Sequence, residues 1–152
     1  MVGLGLIAVT PDSVARAQAQ AQAPASKTEP LTIATKSGAK RFEVEVMRDD
    51  AGRSRGLMFR RHMAADHGML FDFERAEPVT MWMKNTYLPL DMVFIQPDGT
   101  ISRIAADTEP LSTAIIPSGS PVSAVLELNA GTAAKLGIKP GDRVEHALFQ
   151  RR

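Results

Sequence analysis

The sequence predicts a mainly β domain carrying a few short helices, folded as a compact single-domain sandwich or barrel. Three observations lead there. Short apolar or alternating segments recur from Leu31 onward. Turn-forming groups separate them, among them Lys36-Ser37-Gly38, Pro97-Asp98-Gly99 and Lys139-Pro140-Gly141-Asp142. Between Gly68 and Ala105 several strand-like segments follow one another in so little chain that a sandwich or barrel is the natural way to bury them.

Leu31 to Thr35 and Arg41 to Met47 form an opening hairpin. In its second strand Phe42, Val44 and Val46 alternate with Arg41, Glu43 and Glu45, which puts one face in a core and the other in water. Asp49 or Asp50 is placed to cap a short helix through Arg55, since a carboxylate can accept from the free N–H groups of a first turn. Gly56 stops that helix, and Leu57-Met58-Phe59 returns the chain to the core. Gly68 to Phe73, Val79 to Lys84, Leu90 to Ile95 and Thr100 to Ala105 are the next strands, separated by Pro78, Pro89 and the 97–99 turn. Both faces of the 79–84 strand are expected to be covered. A looser stretch rich in Ser, Pro and Gly, Glu109 to Pro121, leads into a strand over Val122 to Leu128. Ala130 to Leu136 is a short helix closed by Gly137, and a last strand runs from Arg143 to Phe149. Gly56, Gly68 and Gly141 are expected to serve backbone geometry rather than ligand contact.

Residues 1–30 read as a signal peptide or leader followed by a disordered Ala/Gln/Pro segment, leaving 31–152 as one globular domain. Leu4 to Val9 is a short apolar run, although no basic residue precedes it, and Ala17 to Ala23 repeats the small-x-small pattern of a signal-peptidase site. The expectation is export, to a periplasmic or extracellular location. With 44% hydrophobic residues in 152, the chain has material for one ordinary core. Eighteen Lys and Arg nearly cancel 17 Asp and Glu, so nothing in the charge balance points to nucleic acid or a polybasic membrane contact. No stretch approaches the roughly 20 apolar residues of a membrane helix. The absence of cysteine excludes disulfides, thiol nucleophiles and thiolate metal sites. No HExxH, GxSxG or Gly-rich phosphate motif occurs.

From Arg55 onward the chain resembles a bacterial and archaeal family, the domain of unknown function numbered 192. The resemblance is carried by Arg55-Gly56-Leu57-Met58-Phe59-Arg60, Gly68-Met69-Leu70-Phe71 and Met81-Trp82-Met83-Lys84-Asn85-Thr86 with Pro89-Leu90-Asp91. Val125 to Gly131 and Gly141-Asp142 complete it. It implies a compact, mainly β fold of jelly-roll-like or barrel character, often behind a signal peptide, and implies no activity.

Six residues could carry chemistry: Arg55, Trp82, Lys84, Asn85, Asp91 and Glu127. Strand alternation sets Trp82 and Lys84 on one face, so a cation accompanies the sole tryptophan. Asp91 shares a face with Val93 and Ile95, and Glu127 shares one with Val125 between two leucines. Carboxylates so placed are buried, which is costly unless cations or donors meet them, and Arg55, Lys84 and Asn85 are the expected partners. This cluster is either a polar pocket or a structural ion network. The expected function is a binding or accessory module for a small polar ligand or envelope component. The alternatives are a hydrolase using Asp91 and Glu127 as an acid–base pair, and a structural or interaction protein with no pocket. A binding module calls for a partly apolar cleft beside Trp82, and an enzyme calls for both carboxylates in one open pocket. Met58, Met63, Met69, Met81, Met83 and Met92 near His62 and His67 would suit copper, but thioethers beside leucine and phenylalanine are ordinary core filling. No cofactor and no metal are expected.

Overall fold

The computed structural model describes residues 26–150, so most of the expected leader lies outside the described residues. Strand β1, Glu29–Thr35, and β2, Gly38–Met47, form the opening hairpin, in the register Leu31 opposite Phe42 and Ile33 opposite Lys40. Helix α1, Asp50–Arg55, follows, and Asp49 caps it by accepting the Gly52 N–H at 2.6 Å. Gly56 ends the helix at φ 49° and ψ −135°, a conformation that a side chain would strain, and a Cβ there would meet Phe71 at 3.1 Å. Strand β3, His67–Glu77, pairs parallel to β2, the crossover running through α1.

Strand β4, Thr80–Met81, is much shorter than the Val79–Lys84 strand predicted from the sequence. The chain turns away at Lys84 and Asn85, where Thr86 N–H bonds Met83 O and Asn85 takes φ 55°. The partner of β4 is β7, Ile116–Pro117, inside the stretch read as loose. Strand β5, Leu90–Ile95, β6, Ile101–Thr108, and β8, Val122–Asn129, lie close to their predicted positions. Helix α2, Thr132–Leu136, ends at left-handed Gly137. The predicted last strand is divided. Strand β9 covers only Arg143–Glu145, and helix α3, Ala147–Gln150, follows because the His146 ring accepts the Leu148 N–H at 3.1 Å and caps a turn.

The sheet order is β6-β5-β8-β3-β2-β1-β9, and the sheet curls into a half-barrel. Its outer strands meet at one end, where Ile101 N–H bonds Asp142 O, Gly141 N–H bonds Ile101 O and Val144 N–H bonds Gly99 O. One face gathers side chains from all seven strands, including Ile33, Phe42, Leu70, Val93, Ile101, Leu126 and Val144, with α2 and α3 packed on the same core. The other face of β3, β5 and β8 carries Met69, Phe71, Met92, Phe94 and Val125 under Leu57, Val79 and Met83. Each fully buried aliphatic or aromatic side chain contributes about 1.5–3 kcal/mol, so both faces matter to stability. Among the described residues no helix is long and apolar enough to cross a membrane.

Candidate functional site

Strand register places the two buried carboxylates on opposite faces. On β5 and β8, Asp91 stands opposite Leu128, while Met92 stands opposite Glu127. Asp91 therefore joins the seven-strand face and Glu127 the other. Asp91 Oδ1 accepts N–H bonds from Asp107 at 2.9 Å and Gly131 at 3.2 Å, and Oδ2 accepts that of Ala133 at 2.9 Å. Three backbone donors thus hold a fully buried carboxylate where it ties the start of α2 to β5 and β6. The cations expected to meet it do not.

Glu127 has different surroundings. It stands between Met69 on β3 and Met92 on β5 in one row across the sheet. It is 4% exposed, and no described residue gives its carboxyl a hydrogen bond or an ion pair. The partners expected from the sequence, Arg55, Lys84 and Asn85, do not bond it. Burial alone pushes the Glu127 carboxyl up to about 8, so it is largely uncharged at neutral pH and presents one O–H donor and one carbonyl acceptor.

That carboxyl lies at a cavity of about 320 Å³. Leu57 and Met58 after α1, Phe71 and Phe73 on β3, and Met81 on β4 give it apolar walls. Arg55, Trp82 and Lys84 belong to its exposed margin, with Arg53 and Asp50 beside them. Trp82 is 45% exposed, which corrects the expectation that both faces of this segment are covered. The Lys84 ammonium sits 5.0 Å from the Trp82 ring centre. Arg53 is committed elsewhere, to the carbonyls of Arg48 and Asp72 and to Asp50 at 2.6 Å. Arg55 and Lys84 have no carboxylate partner among the described residues.

Four of the six residues singled out from the sequence, Arg55, Trp82, Lys84 and Glu127, line this cavity; Asn85 and Asp91 do not. Asn85 stands behind the wall, its amide directed at Met58 Sδ at 3.9 Å and its carbonyl accepting the Phe59 N–H at 2.8 Å. The acid–base pair of the hydrolase reading is not assembled, and the second carboxylate at the cavity, Asp50, is exposed and held by Arg53. Sequence reasoning missed Phe71 and Phe73, which alternate along β3 and so point to one side, a signal readable only once the face of β3 is known. The methionines divide between places. Met69, Met83 and Met92 are fully packed, whereas Met58 and Met81 reach the cavity wall. Among the described residues no cluster of His, Asp or Glu could hold a metal ion.

The fold and the site define a single β-rich domain with a partly apolar cavity on one face of a curled sheet. The chain belongs to the domain of unknown function 192 family, described as "Uncharacterized ACR", whose sequence profile matches residues 32–146. A Sinorhizobium meliloti 1021 protein described as a candidate transcription regulator is 54% identical, with a TM-score of 0.79, over 83% of this chain and 99% of that one. A protein of unknown function from Novosphingobium aromaticivorans DSM 12444 is 40% identical, with a TM-score of 0.78, over 84% of this chain and 96% of that one. No curated protein matches the chain.

Proposed function

We propose that this domain is a binding module whose cavity takes a small ligand with an apolar body and a polar end directed at Glu127. One observation carries the reading: a buried carboxyl opens onto a cavity and is left by the described residues without a donor. A carboxyl at a cavity wall is met there by water or by a ligand, because desolvation without a hydrogen bond costs about 1–3 kcal/mol. A ligand donor would relieve that cost. The volume, about 320 Å³, falls at the small end of ligand sites, and the walls supply the apolar contact such sites use. The near-neutral charge balance favours a small ligand over nucleic acid.

The test is native mass spectrometry of the purified protein together with an NMR fragment screen. A retained small molecule, or fragments that move the Trp82 indole signal along with those of Met58 and Met81, supports the reading. A screen that leaves all three unmoved while the fold is intact overturns it. We also propose that the domain works outside the cytoplasm, on the strength of the apolar run Leu4 to Val9 and the Ala/Gln repeat after it. N-terminal sequencing of the envelope fraction should find a start between Gln20 and Pro24, and an intact Met1 there would contradict export.

A further inference from the structure

We propose that the ligand of this cavity is a small anion, its acidic group at the mouth between Arg55 and Lys84 and its other end an uncharged hydrogen-bonding group on the Glu127 carboxyl. The inference rests on the reading of the cavity as a binding site and adds the charge and polarity of what enters it. Three features of the lining support it.

The mouth is cationic. Arg53, Arg55 and Lys84 line the cavity against one exposed carboxylate, Asp50, and Asp50 is already paired with Arg53. Among the described residues Arg55 and Lys84 remain without a counter-charge, and the Lys84 ammonium lies over the Trp82 ring. An entering anion meets both, and an entering ammonium is repelled by both.

The inner end asks for an uncharged partner. A neutral carboxyl offers one donor and one acceptor, which a hydroxyl or primary amide complements. An ionised carboxyl would instead demand a cation, and Met69 and Met92 on either side supply nothing to stabilise that charge. The middle is apolar and partly aromatic, with Leu57, Phe71 and Phe73 in the wall, so a flat ring suits it.

Three probes of one shape separate the possibilities: 4-(hydroxymethyl)benzoate, 4-(hydroxymethyl)benzylamine and 1,4-benzenedimethanol, titrated into the full chain at pH 7. The readout is the indole N–H signal of Trp82, which is unambiguous because the chain has one tryptophan. The benzoate should bind at least tenfold more tightly than the amine and severalfold more tightly than the diol. Arg55→Ala and Lys84→Ala, both at exposed positions, should each weaken the benzoate threefold or more and weaken it by a larger factor than the diol. Binding of the benzoate should also weaken as pH rises through about 8, where Glu127 ionises, and Glu127→Gln should flatten that dependence. The other charged groups lining the cavity are Asp50, Arg53, Arg55 and Lys84. An amine that binds as well as the benzoate, or three equal affinities, overturns the anion while leaving the cavity a binding site. If none of the three moves the Trp82 signal at about 20 mM while the spectrum stays that of the folded protein, both the anion and the binding reading fall.

Discussion

A Cβ on Gly68 would stand 2.8 Å from the backbone carbonyl oxygen of Glu127, so β3 and β8 approach more closely here than any larger residue permits. The contact is with backbone, which cannot swing aside, and Gly68 lies opposite Leu128 in the ladder. Gly68→Ala should therefore push β8 away from β3 at the residue whose side chain meets the cavity. The expected loss is about 1–3 kcal/mol, as for other overpacked core positions, or several degrees in Tm. Thermal unfolding checks this, and an unchanged Tm would show that the strands part without strain.

The raised Glu127 carboxyl makes stability depend on pH with a definite sign. Its value of about 8 in the fold exceeds the ordinary 4.5, so between these limits the folded state holds a proton that the unfolded chain has released. Stability from this group falls as pH rises across that window, by about 1 kcal/mol per unit. Glu127→Gln, which cannot ionise, should lose the slope. Denaturant titrations at pH 5 and pH 8 should find the variant gaining on the parent at pH 8, and parallel profiles would mean that the carboxyl is charged in the fold.

Asp91 should matter to the fold and not to the cavity. Asp91→Ala leaves the N–H groups of Asp107, Gly131 and Ala133 without their acceptor, at a cost of about 2–4 kcal/mol. Because Asp91 faces away from the cavity, ligand effects on the Trp82 signal should survive at a temperature where the variant is folded. Loss of those effects without loss of stability would mean that Asp91 serves the site directly.

These two carboxylates also show where reading the sequence ends. Burial of both was legible, because each interrupts an apolar run. Their separation was not, since it depends on Asp91 facing Leu128 rather than Glu127, and that single-residue register comes from pairing β5 with β8. The alternation over 79–84 gave the correct faces, with Val79 and Met83 buried and Thr80, Trp82 and Lys84 exposed. It did not reveal that the ladder stops after Met81, because alternation reports which side meets the core and not whether a neighbouring strand is present. The hairpin of β1 and β2 and the Asp49 cap were legible for a simpler reason: local turn and capping chemistry determines them. Helix α3 was hidden because its cap is a histidine ring rather than the usual Ser, Thr, Asp or Asn.

That ring gives the last prediction, on the acid side. His146 is buried, its Nδ1 accepts the Leu148 N–H, and its Nε2 faces Glu29 Oε2 at 3.1 Å. Nδ1 therefore carries no proton, and adding one would break the cap of α3. Burial holds His146 below the ordinary 6.5, while the Glu29 carboxylate opposes that shift. Glu29 in turn is held below the usual carboxylate range, chiefly by its hydrogen bonds from Arg48. A histidine lowered in the fold contributes stability that is fully present above about 6.5 and is lost as pH falls through the folded value. The ring-proton signals of His146 should titrate with a midpoint under 6.5. Glu29→Gln removes the opposing charge, so the midpoint should move lower still. The Arg48 pair lost with it is exposed and contributes at most about 1 kcal/mol. A midpoint that rises in Glu29→Gln, or one above 6.5 in the parent, would show that the ring is charged in the fold and that α3 is capped in some other way.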